Sequence, residues 1–71
     1  MPLENDLKFA ERDLHRAEDH VLQQQELIAR LEGDGRSARL AKAQLRVLQE
    51  SAESHLSRVR ALRDELVAEL R

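Results

Sequence analysis

Histidines and carboxylates are the groups in this 71-residue chain that could do acid–base or metal chemistry near neutral pH, and there are three histidines. Glu11, His15 and Asp19 follow one another at intervals of four, which on a helix puts them on one face. If the chain folds back on itself near its middle, His15 comes level with His55. Two histidines and two carboxylates would then be the donor set for a metal. The Glu-x-x-His spacing of di-iron bundles is missing, however, and His15 falls outside the apolar seam traced below. We therefore expect no metal and no cofactor. His15 reads as an ion-pairing surface residue, and His55 as a packed seam residue whose protonation could make assembly pH-dependent.

Other chemistry fares no better. Arg36, Arg39, Lys42 and Arg46 form a basic strip suited to phosphates, and such contacts would be salt-sensitive. No helix-turn-helix spacing, interleaved aromatic or strongly positive total accompanies it, so nucleic acid is not an expected partner. The strip also reads as a solvated face with pairs such as Arg46–Glu50, of the kind seen at Glu4–Lys8, Glu26–Arg30 and Arg60–Asp64. The Gly33-Asp34-Gly35 triplet lacks the Gly-Lys-Ser/Thr ending of a phosphate loop and the spaced acids of a calcium loop. Ser37, Ser51, Ser54 and Ser57 have no paired base and no nucleophile elbow. No catalytic residue is expected, and the chain does not read as an enzyme.

Composition bounds the elements that carry these residues. Charged residues make up 37% of the chain, and with Ala, Leu and Gln that is the make-up of long helices and coiled coils. There is no cysteine to staple a small domain, and Phe9 is the one aromatic residue. No apolar run approaches the roughly 18 residues of a membrane span. The start, MPLENDLKF, is acidic where a signal peptide is basic and then apolar. A cytoplasmic protein without membrane contact is expected.

The heptad pattern is the strongest signal. Leu7, Leu14, Val21 and Ile28 are seven apart, with Leu3, Ala10, Ala17, Gln24 and Leu31 as the matching series. A second register runs through Ala38, Leu45, Ala52, Val59 and Leu66, matched by Ala41, Leu48, His55, Leu62 and Glu69. Phase is lost between them, so two helices with separate seams are predicted. Gly33 is expected to end the first in the left-handed region, Gly35 to give a second permissive position, and Ser37 to cap the second. That predicts one all-α domain over 1–71, an antiparallel helical hairpin with helices at about 3–32 and 37–71 and a turn at about 33–36. The expected seam is Leu7, Leu14, Val21, Ile28, Leu45, Leu48, Val59, Leu62 and Leu66, with pairs whose numbers sum to about 69. Polar Gln24 and His55 within it would set register or oligomer state. Residues 1–35 hold nine acids and four bases, while 36–71 hold five acids and eight bases, so the arms (−5 and +3) attract.

Leu40, Val47 and Leu56 lie beside the seam and are expected to face a partner. Pairing two hairpins into a four-helix bundle buries such residues, and a twofold homodimer is the commonest way to do so. The expected function is a non-catalytic interaction or assembly module. The alternatives are a small regulatory protein binding a heterologous protein through its apolar face, or a nucleic-acid-associated protein using the basic strip.

The stretch from Ala10 to Leu70, above all QQELIARLEGDG and LRDELVAEL, resembles a group of short bacterial proteins of unknown function. They have an Ala/Glu/Arg/His-rich first helix, a Gly-containing turn and an Ala/Leu-rich second helix. The resemblance implies a hairpin and no activity. Where such proteins often carry a histidine just before the first seam Ala or Ile, this chain has Leu14-His15, so no histidine role transfers.

Overall fold

From Pro2 to Gly33 nothing interrupts a helix, because the chain's one proline sits where its missing N–H is harmless and its fixed φ helps. The computed structural model describes residues 2–71 and contains two helices, α1 (Pro2–Gly33) and α2 (Arg39–Leu70), each of 32 residues. They pack against one another as an antiparallel hairpin measuring 56 × 14 × 13 Å. Glu4 in the first turn of α1 and Arg30 in its last complement the helix dipole.

The reversal is a Schellman motif. Arg36 N–H donates to the Leu31 carbonyl at 2.8 Å and Gly35 N–H to that of Glu32 at 3.1 Å, capping carbonyls that the helix leaves unpaired. The left-handed residue is Gly35, at φ +71°, and not Gly33, which closes α1 in helical conformation. The motif needs its left-handed residue four positions after Leu31, and only Gly35 stands there.

The second helix also begins later than its sequence suggests, at Arg39 and not near Ser37, and it ends at Leu70. Ala38 occupies the N-cap position with no side-chain cap, and its carbonyl accepts the first helical bond from Lys42 N–H at 2.8 Å. Ser37, one position early, accepts a long 3.4 Å bond from Arg39 N–H. Ala38 is held there by burial: it packs with Ile28 and Ala41, flanked by Leu31 and Leu45. Burying its methyl contributes about 0.8 kcal/mol, comparable with the ~1 kcal/mol of a good cap, and Ser37 retains part of the latter.

A Cβ at either glycine would meet nothing within 4 Å, so only backbone conformation separates them. Gly33→Ala should therefore stabilise the hairpin by about 0.5–1 kcal/mol. Gly35→Ala should destabilise it by about 1–2 kcal/mol, the cost of a left-handed L-residue. Thermal melts of both variants give the comparison. Equal losses in the two would place the left-handed residue elsewhere.

The residues most withdrawn from solvent lie along the seam. Val59 is fully buried; Ile28, Ala10, Ala17, Ala38 and Ala41 are buried. Leu7, Leu14, Val21, Leu45, Leu48, Leu62 and Leu66 are half-buried, as are Gln24 and His55, whereas Glu69 is exposed. A seam between two helices covers each from one side only, so its leucines keep one edge in water. The alanines let the backbones approach, and the core is a single layer thick.

Candidate interaction surface

At 100° per residue, the seam divides each helix into two flanks. One flank is built around Glu11, Glu18, Leu22 and Glu32 of α1 and Lys42, Arg46, Leu56 and Arg63 of α2. Ion pairs cross it: Lys42 Nζ lies 3.0 Å from Glu32 Oε2, and an Arg63 guanidinium nitrogen 3.9 Å from Glu11 Oε2. Each partner is substantially exposed, which keeps such pairs within about 1 kcal/mol. They join the acidic arm to the basic one in a single register. Lys42 is thereby tied down within the hairpin, which interrupts the basic strip begun by Arg36 and Arg39.

The opposite flank carries Phe9, Asp13, Arg16, His20 and Leu27 of α1 and Leu40, Val47, Ser51 and Ser54 of α2. Here Gln24 reaches across the seam, its Nε2 donating to the Ala41 carbonyl at 2.9 Å and to Gln44 Oε1 at 3.1 Å. A polar seam residue with partners at one register only penalises sliding of one helix along the other.

A groove on this flank is lined by Asp13, Arg16, Ala17, His20, Leu48, Ser51 and His55. The histidine sharing His55's side of the molecule is therefore His20, which sequence reasoning passed over. His15 lies across the seam, exposed, with Nδ1 3.7 Å from Glu18 Oε1. His20 sits seven residues after Asp13, and that spacing could have pointed to a shared groove. Among the described residues no group of three or more His, Asp or Glu side chains is placed to hold a metal ion. No polar or charged side chain among them is buried, so no acid, base or nucleophile is held away from water.

What the surface does offer is apolar area. Phe9, Leu22, Leu40, Val47, Val67 and Leu70 are each at least half exposed, and Leu40 reaches 73%. Phe9 has partial cover from the Arg12 guanidinium, 5.8 Å from the ring centroid. The residues expected to face a partner do not share one face. Leu40 and Val47 line up on α2, whereas Leu56, nine residues beyond Val47, is turned 180° from it and is half-buried. No helix among the described residues is long and apolar enough to cross a membrane.

Compared with protein-family models, curated proteins and solved structures, the chain matches none.

Proposed function

We propose that this chain is a non-catalytic interaction module that pairs with a second copy of itself into a four-helix bundle. One quantity carries the reading. The accessible surface is 5659 Å², against about 4500 Å² for a compact monomer of its 8.2 kDa. The excess, about 1100 Å², is more than the ~800 Å² that each partner contributes to a standard interface. The side chains on that surplus include Leu40 and Val47, which gain little from the hairpin and whose burial against a partner contributes up to about 1.5–3 kcal/mol each. A cytoplasmic location, no bound cofactor and no nucleic-acid partner belong to the same reading. So does kinship with the short bacterial hairpins that the sequence resembles, which adds no activity.

A second reading rests on the separation of Leu56 from Val47. A copy seated on the Leu40–Val47 side leaves Leu22 and Leu56 uncovered on the other flank, where a heterologous protein could dock.

Assembly coupled to folding makes the melting temperature depend on concentration. Far-UV circular dichroism melts of the purified chain should therefore shift upward by several degrees over a hundredfold rise in concentration. A midpoint that stays fixed would leave the hairpin a self-sufficient monomer and sink the homodimer reading.

A further inference from the structure

Five residues of α2 stand seven apart along one line: Leu40, Val47, Ser54, Ala61 and Ala68. All five are exposed, and none is charged. The line runs from large at the turn end to small at the free end, with serine in the middle. We propose that a second copy of this chain docks on this stripe in antiparallel orientation, with the twofold axis at Ser54. The inference rests on the homodimer reading above and adds the face and the direction.

Size complementarity sets the direction. Laid antiparallel about Ser54, the stripe puts Leu40 over the partner's Ala68 and Val47 over the partner's Ala61, large against small on either side of the central serine pair. Laid parallel, it stacks Leu40 on its own copy at one end and leaves facing alanines, with a gap between them, at the other. The antiparallel arrangement is isologous, as a closed dimer requires. Phe9 belongs to it as well. It lies on the same flank towards the free end, where the stripe of α2 ends in Ala61 and Ala68, and supplies the bulk that those alanines lack.

Charge sets the face. The flank holding the stripe carries six charged residues, namely Asp6, Asp13, Arg16, Arg30, Arg58 and Glu65. The other flank carries eleven, several already committed to ion pairs between α1 and α2. Covering the second flank would desolvate nearly twice as many charges, so the first is the cheaper to bury.

The absence of cysteine makes the test clean. Ser54→Cys and Ala61→Cys each place one thiol on the stripe. In the antiparallel dimer two copies of position 54 meet, whereas two copies of position 61 lie about 21 Å apart along the axis. A short bifunctional maleimide should therefore join Ser54→Cys into a covalent dimer about tenfold faster than it joins Ala61→Cys, through the higher effective concentration. Equal, fast coupling of both variants would mean a parallel dimer and overturn the direction. Slow coupling of both, with the unsubstituted protein dimeric by sedimentation, would place the interface on another face. A monomeric unsubstituted protein would instead defeat the homodimer reading on which the inference stands.

Discussion

Val59→Asp is expected to leave the chain largely unfolded at room temperature, with most of its far-UV helical signal lost. Among the described residues Val59 is the one large side chain with no exposure at all. The antiparallel packing of the seam sets it against the apolar Ala10–Leu14 stretch of α1, where Ala10 is buried and Leu14 half-buried. An uncompensated buried carboxylate costs about 3–5 kcal/mol, which equals the whole stability that a core of this size supplies, about 3–5 kcal/mol. Val59→Ala, which removes only methyl groups, should cost about 1–2 kcal/mol and leave a folded protein with a lowered melting temperature. An Asp variant as helical and as heat-stable as the parent would mean that the seam does not hold the hairpin together.

Val47→Glu has the opposite profile. At 65% exposure Val47 contributes little to the hairpin, and glutamate is the better helix former. The isolated fold should be unharmed. In the proposed dimer the substitution occurs twice, once in each copy. At about 2 kcal/mol per copy it should raise the dissociation constant on the order of 1000-fold. Leu56→Glu supplies the contrast. Leu56 is half-buried on the flank opposite Val47, so its replacement should weaken the hairpin by about 1 kcal/mol and spare the proposed interface. Sedimentation of the two variants, paired with their melts, separates the effects. Full-strength dimerisation of Val47→Glu would move the interface off the Leu40–Val47 stripe.

Much of this fold could be read from residue spacing, because a heptad pattern reports one thing directly: which side of a helix avoids water. Every residue assigned to the seam from sequence, except Glu69 in the last turn of α2, is at least half-buried. The break in phase between Leu31 and Ala38 located the reversal correctly. Its details were harder to see, since they turn on competition between effects of about 1 kcal/mol. Gly33 and Gly35 are equally plausible stops by composition. The bond from Arg36 N–H to the Leu31 carbonyl selects Gly35. Ser37 is the better capping residue by type, but Ala38 is the one whose methyl packs with Ile28 and Ala41, and the helix begins after it.

The surface was less legible for a geometric reason. Leu40, Val47 and Leu56 all lie beside the second seam, but at opposite edges of it, and spacing along the chain does not register that those edges face opposite ways. Likewise, His15 comes level with His55 along the hairpin, whereas the groove at His55 is shared with His20. Level and facing are separate coordinates, and only the folded hairpin supplies both.

Sedimentation equilibrium of the unsubstituted chain over a range of micromolar concentrations tests homodimerisation most directly. The predicted result is a single species at twice the 8.2 kDa chain mass, dissociating on dilution. A mass of 8.2 kDa at every concentration, with the helical signal intact, would contradict it.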